Sequence, residues 1–183
     1  MRNTITLYHG TIYEFDNIDV TEGKGNKDFG RGFYTSRDIH HAERLAVRNK
    51  RIEDERNALR GVNKQVTSWL YTYTFDVDDL APLCVKEFSA ADREWMRFVA
   101  LNRENKSKNQ LHEYDIVIGP TAIDNTRAAI QTVIPLSGGQ VLSDKAVDAL
   151  IALIEPDNLP WQFFFGTKRA ADLLRFNGRR VTR

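Results

Sequence analysis

Two short segments near the start of the chain carry residue types that could bind a ligand and act on it. Leu7–Thr11 places His9 at the end of an alternating polar and apolar run, which predicts a strand. Asp28–Thr35 holds a Gly-Arg-Gly sequence before Tyr34, and glycines there would let the backbone approach a ligand closely. Taken alone, each segment has a structural explanation, a satisfied strand-end histidine and a turn before a strand. Their order, with Tyr34 placed 25 residues after His9, favours interpreting them together.

Several other catalytic patterns are missing from the sequence. The four histidines have no His-x-x-x-His spacing, and a single cysteine, Cys84, excludes a thiolate metal cluster and an internal disulfide. The apolar neighbours of Cys84 predict a buried strand residue. The sequence has no G-x-x-x-x-G-K-[ST] loop and no G-x-S-x-G turn, and its Gly-Arg-Gly is too short for a dinucleotide fingerprint. The sequence therefore lacks the motifs that usually accompany nucleotide-triphosphate chemistry, serine hydrolysis and hydride transfer.

The composition is that of an ordinary globular domain. We expect a single domain over residues 1–183, a length that can bury a full core. The 26 Lys and Arg nearly balance the 25 Asp and Glu, so no global field directs the chain to nucleic acid or lipid. No apolar run approaches the roughly 20 residues of a membrane span, and the first residues alternate too much for a signal peptide. We therefore expect a cytoplasmic protein without a membrane partner.

The hydrophobic patterns predict strands and helices without a regular βαβ rhythm, which indicates an α+β fold. The predicted strands are Thr4–Tyr8, Gly32–Thr35, Thr67–Phe75, Tyr114–Ile118 and Trp161–Phe165. The predicted helices begin at N-caps: Ser36 or Asp38, Ser89, Ser143 and Thr167. Between the two motifs, Thr21–Gly32 is expected to be a mobile surface loop. The aromatic stripe of Thr67–Phe75 is better explained as core than as a base-stacking surface.

The two motifs resemble the first two motifs of the ADP-ribosyltransferase superfamily. His9-Gly10-Thr11 is similar to the His-Gly-Ser/Thr of its poly(ADP-ribose) polymerase and diphtheria-toxin branch, and Gly30–Tyr34 is similar to that branch's Gly-x-Gly-Ile/Val-Tyr. The closer likeness is to a bacterial family of small, largely uncharacterised proteins in the same clan. It covers nearly the whole chain: Asp28–Tyr34, Trp95–Val99, Asn102 and Arg103, Tyr114–Pro120, Ala122, Asp124, Gln162–Phe165, Thr167, Ala170, Leu173 and Phe176.

The resemblance implies a single-domain α+β fold in which two small antiparallel-type sheets form an NAD⁺ cleft with flanking helices. In that cleft His9 would hydrogen-bond a ribose hydroxyl of NAD⁺, while Gly10 and Thr11 would hold the nicotinamide amide. Tyr34 would stack on the nicotinamide ring. Such a clamp suits a glycosidic bond that breaks through an oxocarbenium-like state, which must be held in place and shielded from water.

Further cofactor-binding residues are implied around this clamp. The Gly-rich segment would contribute Asp28, Gly30, Arg31 and Gly32, with the Arg31 guanidinium meeting a phosphate of the ligand. Related sequences often carry a second aromatic residue on the next helix, near position 45, where this chain has Leu45. Leucine can pack on a ring face but lacks the stacking contribution of about 0.5–1.5 kcal/mol. We therefore expect modest NAD⁺ affinity.

The third motif residue departs from the superfamily pattern. The superfamily usually has a Glu that accepts a ribose-hydroxyl hydrogen bond and stabilises developing positive charge. The matching strand of this chain has Gln162, and the bacterial family also tends to carry Gln there. A glutamine oxygen can accept the hydroxyl but supplies no full charge, a loss of about 2–4 kcal/mol if uncompensated. Glu155 and Asp157, which precede Pro160, are the acidic alternatives.

The function implied by the resemblance is mono-ADP-ribosyl transfer from NAD⁺ to a macromolecule, with no metal required. The implied setting is a bacterial or phage toxin or conflict enzyme that modifies a protein or a nucleic acid, with a neutralising antitoxin as a further partner. Two alternatives stay open: a catalytically silent NAD⁺-binding or interaction module, and an NAD⁺ hydrolase in which water is the acceptor.

Overall fold

The strand order of one mixed sheet decides where the two motifs meet. The computed structural model describes residues 3–23, 25–105, 107, 109–122, 128–130, 143–153 and 158–182. In these residues the strands are β1 (Thr4–Thr11), β2 (Phe33–Ser36), β3 (Trp69–Asp76), β4 (Val85–Glu87), β5 (Ile116–Pro120), β6 (Trp161–Phe165) and β7 (Arg175–Val181). They form one seven-stranded sheet in the order β4-β5-β6-β2-β1-β3-β7, in which only β4 and β5 pair in parallel.

The narrowest join in this sheet lies between β1 and β2. All of Thr4–Thr11 pairs with β3, whereas β1 and β2 pair at one position, Tyr8 with Ser36. On its other edge, β2 pairs along its whole length with β6. The expected two sheets are therefore not confirmed, because the Tyr8–Ser36 pairing connects all seven strands. The α+β class agrees with the structure.

Four α-helices with both ends in the described part of the chain lie around the sheet. They are α1 (Ile39–Leu59), α2 (Arg93–Glu104), α3 (Asp144–Ala152) and α4 (Lys168–Ala171). Asp38, Ser143 and Thr167 cap α1, α3 and α4 as predicted, since each side chain accepts a hydrogen bond from a backbone N–H of the first turn. The predicted Ser89 cap is wrong. Asp92 begins α2 instead, and its carboxylate accepts from Trp95 N at 2.9 Å.

Apolar side chains fill both faces of the sheet. Phe29, Trp95 and Phe164 belong to the cluster beneath α2 and α3, and Leu7 and Phe165 belong to the cluster on the opposite face. The second cluster includes most of the predicted aromatic stripe: Tyr71, Tyr73 and Phe75, each at most 3% exposed. The interpretation of that stripe as core is therefore confirmed.

One edge strand and one cysteine depart from the sequence expectations. The pattern predicted no strand at Arg175–Val181, because β7 is almost wholly exposed and lacks apolar alternation. Nor is Cys84 buried, as was predicted; it is exposed. The Cys84 N–H donates to Asp115 Oδ2 at 2.9 Å and its carbonyl accepts from Asp115 N at 2.8 Å, so its backbone is fixed just before the edge strand β4. No helix in the described ranges is long and apolar enough to cross a membrane.

Gly10 sets the distance between α1 and the sheet. A Cβ at this position would lie 1.8 Å from the Ala42 carbonyl oxygen and 3.2 Å from Ala46 Cβ. Ala42 and Ala46 are buried small residues on the face of α1 that covers β1. A glycine is therefore required at position 10 by helix packing, whatever the role of its backbone in binding.

Gly10→Ala should destabilise the fold by about 3 kcal/mol or more, because the added methyl overlaps backbone atoms that cannot rotate away. The melting temperature should fall by about 6–12 °C, which differential scanning fluorimetry can measure. Gly25→Ala is the matched control, since a Cβ at Gly25 has its nearest neighbour at 3.8 Å. Equal melting temperatures for the two variants would contradict this packing.

Candidate active site

His9 and Tyr34 meet where β1 and β2 separate. His9 Nδ1 lies 2.7 Å from the Tyr34 carbonyl oxygen. A carbonyl can only accept, so Nδ1 carries a proton and donates it. The His9 ring also packs on Phe33 with a centroid distance of 4.3 Å and on Phe15 at 5.9 Å. These contacts hold the imidazole in one orientation.

The same contacts determine the charge of His9. Burial lowers its pKa to about 4, an effect that the hydrogen bond to Tyr34 opposes and the Lys27 charge reinforces. At neutral pH the ring is therefore uncharged, with its single proton on Nδ1. Nε2 is then a hydrogen-bond acceptor, suited to a hydroxyl donor.

The Tyr34 hydroxyl group hydrogen-bonds two backbone groups of the Gly-rich segment. The hydroxyl donates to the Gly30 carbonyl at 2.7 Å and accepts from Phe29 N at 3.1 Å. The Tyr34 ring contacts Phe164 edge-on at 5.1 Å. Burial raises the pKa of Tyr34 well above its usual value, and the Asp28 charge adds to the rise. The hydroxyl therefore stays protonated and able to donate.

The segment Asp28–Gly32 is braced by side chains from a distant part of the chain. Gln110 bonds both backbone groups of Arg31, accepting from its N–H and donating to its carbonyl, each at 2.9 Å. His112 Nε2 lies 2.8 Å from the Phe29 carbonyl oxygen. The predicted surface loop is therefore wrong from Asp28 onward, where Arg31 alone is not buried.

Two glycines allow this close placement. Gly30 has a φ of +91°, and a Cβ there would lie 2.4 Å from Gln110 Oε1. At Gly32 a Cβ would lie 2.4 Å from the Phe164 ring. The guanidinium of Arg31 donates to the Thr21 carbonyl at 3.1 Å, while its buried Nε has no hydrogen-bond partner in the described ranges.

Asp28 is the most heavily bonded group of the site. Its Oδ1 accepts from Arg103 Nε at 2.6 Å and forms an ion pair with the same guanidinium. Its Oδ2 accepts from Ala122 N and Gln162 Nε2, both at 2.8 Å. These four contacts use about all the lone-pair positions of a carboxylate. Asp28 is 4% exposed, so the charge of Arg103 compensates a buried anion.

Gln162 is fixed through its amide nitrogen. Besides the bond to Asp28, Nε2 donates to the Pro120 carbonyl at 3.2 Å, and Trp95 Nε1 donates to the same carbonyl at 3.0 Å. A carboxylate cannot donate to an amide oxygen, so the amide can face Asp28 only with its nitrogen. No side chain or backbone group in the described ranges donates to Gln162 Oε1.

His9 contacts Tyr34, and Tyr34 contacts the segment that begins at Asp28. His9 and Gln162 do not contact each other. Tyr8, Ser36 and Gln162 form one row of paired positions across β1, β2 and β6, so they share a face of the sheet. His9 follows Tyr8 and therefore points to the opposite face. The gap between β1 and β2 therefore lies between the His9 side chain and the Gln162 side chain.

The remaining predicted residues lie only partly within the described part of the chain. Thr11 is buried and accepts from Tyr13 N at 3.1 Å, and Leu45 is half-buried on α1. Glu155 and Asp157, the acidic alternatives, lie outside the described residues, as does Asp124. In the ranges that the structure describes, no group of three or more His, Cys, Asp or Glu could hold a metal ion.

Sequence reasoning missed the partners that hold these residues. Gln110, His112 and His41 carry no local motif. His41 is 9% exposed. Burial and, to a smaller extent, the Arg44 charge lower the pKa of His41, whereas the charges of Asp38 and Asp28 raise it.

A surface depression of about 200 Å³ lies away from these residues. It is lined by Ile5, Arg37, Val77, Leu80, Glu87, Ile118, Trp161 and Phe163.

These features define an α+β protein with a polar site at the join between two groups of strands. The chain belongs to DUF3990, a family of proteins of unknown function, whose model matches residues 5–176. Comparisons with curated proteins and with solved structures found no match. Membership of a family of unknown function is therefore shown over most of the chain, and the relationship to the ADP-ribosyltransferases stays a prediction.

The depressed pKa of His9 predicts a loss of stability in mild acid. Below its ordinary pKa of 6.5, the unfolded chain takes up a proton that folded His9 refuses until about pH 4. The free energy of unfolding should therefore decrease as pH falls from about 6.5 to 4. His9→Gln should remove this part of the slope, as measured by urea denaturation.

The control for this measurement is His40→Gln, because the His40 side chain is 77% exposed. Burial also lowers the pKa of His41 and His112, so the difference between wild type and variant isolates His9. Parallel pH profiles for wild type and His9→Gln would contradict the assignment of a neutral His9.

Proposed function

We propose that this protein is a mono-ADP-ribosyltransferase that uses NAD⁺ to modify a macromolecule. The observation that carries the proposal is the neutral His9, which donates from Nδ1 to the Tyr34 carbonyl at the point where β1 and β2 separate. Its Nε2 is left to accept a hydrogen bond from a ribose hydroxyl. This agrees with the role that the resemblance to ADP-ribosyltransferases implies for His9.

The arrangement of the strands also supports the proposal. β1, β3 and β7 form one group, and β4, β5, β6 and β2 form the other, with a single paired position between them. The sheet is nearly divided between β1, which carries His9, and β2, which carries Tyr34. This arrangement is compatible with the two-sheet cleft of the superfamily. NAD⁺ would bind in the gap, with Gly10 and Thr11 on the β1 side and Tyr34 on the β2 side.

In the proposed reaction, the bond between ribose C1′ and the nicotinamide nitrogen breaks, and its electron pair leaves with nicotinamide. The ribose then carries positive charge, and a nucleophile of the acceptor bonds to C1′ and loses its proton. His9 Nε2 and Gln162 Oε1, which lie on opposite sides of the gap between β1 and β2, would each accept a ribose hydroxyl from their own side and so hold the ring in place. Arg31 would contact a phosphate, and Leu45 would cover a ring face. No step requires a metal ion.

The silent NAD⁺-binding or interaction module is the second candidate. Gln162 favours it, because this side chain is neutral, 7% exposed and engaged with Asp28 through its nitrogen. An amide in place of a carboxylate gives up about 2–4 kcal/mol of transition-state stabilisation unless another group supplies it. An NAD⁺ hydrolase would differ only in using water as the acceptor.

The proposed setting is the cytoplasm of a bacterium, where the protein would act as a bacterial or phage toxin or conflict enzyme. The acceptor would be a protein or a nucleic acid. A neutralising antitoxin would be a second partner. These proposals follow from the resemblance to ADP-ribosyltransferases. Identifying the acceptor would decide between a protein and a nucleic-acid target.

Nicotinamide release and transfer of label from [adenylate-³²P]NAD⁺, each with and without bacterial lysate, test this proposal. We expect lysate-dependent release with label on macromolecules, and a loss of at least about tenfold for His9→Ala and for Tyr34→Ala. His40→Ala, on the exposed face of α1, serves as the control. Release without lysate would assign a hydrolase, and no release under any condition would assign the silent module.

NAD⁺ should also raise the melting temperature. With a Kd of about 10⁻⁵–10⁻³ M, 5 mM NAD⁺ would stabilise the folded state by about 1–4 kcal/mol. This corresponds to a rise of at least about 2 °C in scanning fluorimetry. ATP, which lacks nicotinamide, should give a smaller shift. A flat melting temperature up to 5 mM NAD⁺ would contradict both the enzyme and the NAD⁺-binding module.

A further inference from the structure

Asp28 and Gln162 form a buried pair whose chemistry permits one orientation only. Both Asp28 oxygens are engaged, and Oδ2 receives the Gln162 amide hydrogen at 2.8 Å. The second amide hydrogen is directed to the Pro120 carbonyl at 3.2 Å. If the amide were turned over, Oε1 would face a carboxylate and a carbonyl, with no hydrogen between any of them. The orientation therefore depends on the acceptor character of both partners.

We propose that Asp28 is a positioning residue for Gln162. It holds the amide so that Oε1, and never Nε2, is left for a ligand hydroxyl. Arg103 makes this possible, because its guanidinium compensates the buried charge and fixes Oδ1, so that Oδ2 is turned toward Ala122 and Gln162. The identity of the ligand rests on the proposed function, whereas the orientation of the amide does not.

The segment that carries Asp28 also carries the contact with Tyr34. Phe29 N donates to the Tyr34 hydroxyl, and that hydroxyl donates to the Gly30 carbonyl. The Gln162 amide and the Tyr34 ring are thus set by two neighbouring parts of one braced segment. Asp28 would act on the reaction only through Gln162, since all of its acceptor positions are occupied by protein groups.

The sharpest test replaces the amide by a carboxyl group. In Gln162→Glu, two carboxylates face each other at high pH, whereas the introduced carboxyl, once protonated, can donate its hydrogen to Asp28. The folded state should therefore bind a proton that the unfolded chain binds only near pH 4.3, and the variant should gain stability as pH falls from 8 to 5 relative to Gln162→Met. The other ionisable groups near the pair are Arg103, Tyr34 and His41, and all are the same in both variants.

The double variant Asp28→Asn/Gln162→Glu leaves a single carboxylate in the pair. No proton is then needed between the two side chains, because a neutral amide faces the carboxylate introduced at position 162. The pH dependence of Gln162→Glu should disappear in this double variant, as measured by the melting temperature from pH 5 to 8. If Gln162→Glu and Gln162→Met have parallel pH profiles, the positioning by Asp28 is overturned, whether or not the protein cleaves NAD⁺.

Turnover separates positioning from a purely structural role. For Asp28→Asn alone, the Gln162 amide can turn over, so kcat for nicotinamide release should fall at least tenfold per folded molecule while KM for NAD⁺ changes less than threefold. The double variant should recover part of the lost kcat, because a carboxylate at position 162 offers an acceptor oxygen to the ribose hydroxyl in either orientation. A wild-type kcat in folded Asp28→Asn would overturn the proposal. If the wild type releases no nicotinamide, the proposed function fails, and the pH profiles alone decide on Asp28.

Discussion

The buried carboxylate of Asp28 is the constraint on which the rest of the site depends. A charge that is 4% exposed must be fully compensated, because an ion left unpaired in the interior costs several kcal/mol. The compensation comes from α2 through Arg103, from the chain after β5 through Ala122 and from β6 through Gln162. Three distant segments are thereby held around one side chain.

Once Asp28 is fixed, the neighbouring segment has little freedom. Gln110 holds the Arg31 backbone on both sides, and the Tyr34 hydroxyl bonds to Phe29 and Gly30. The Tyr34 carbonyl in turn receives the His9 Nδ1 proton. The orientation of His9 therefore depends, through the backbone of Tyr34, on the packing of the Gly-rich segment.

What could be predicted from the sequence is what local chemistry determines. The caps Asp38, Ser143 and Thr167 bond to backbone groups within three residues, and the aromatic alternation of β3 indicates burial directly. The partners of Asp28 could not be found this way, since Arg103, Ala122 and Gln162 lie 75, 94 and 134 residues further along the chain. Arg103 and Ala122 were named only as scattered matches to a family pattern and Gln162 only as a third motif residue, and folding brings all three to Asp28.

The same reasoning explains the errors. Thr21–Gly32 has the composition of an exposed loop, yet Gly30 and Gly32 serve close packing against Gln110 and Phe164. The exposed edge strand β7 has no apolar alternation, and its pairing is decided by β3. The single pairing of Tyr8 with Ser36, which makes one sheet of two strand groups, depends on register and leaves no mark in the sequence.

The central claim is that NAD⁺ binds where β1 and β2 separate, and a crystal structure with NAD⁺ or a non-hydrolysable analogue tests it most directly. We predict a ribose hydroxyl within hydrogen-bond distance of His9 Nε2, the nicotinamide ring against Tyr34, and the Gln162 amide still bonded to Asp28 through its nitrogen. Density for the dinucleotide at any other surface, with His9 Nε2 free of ligand, would contradict the account.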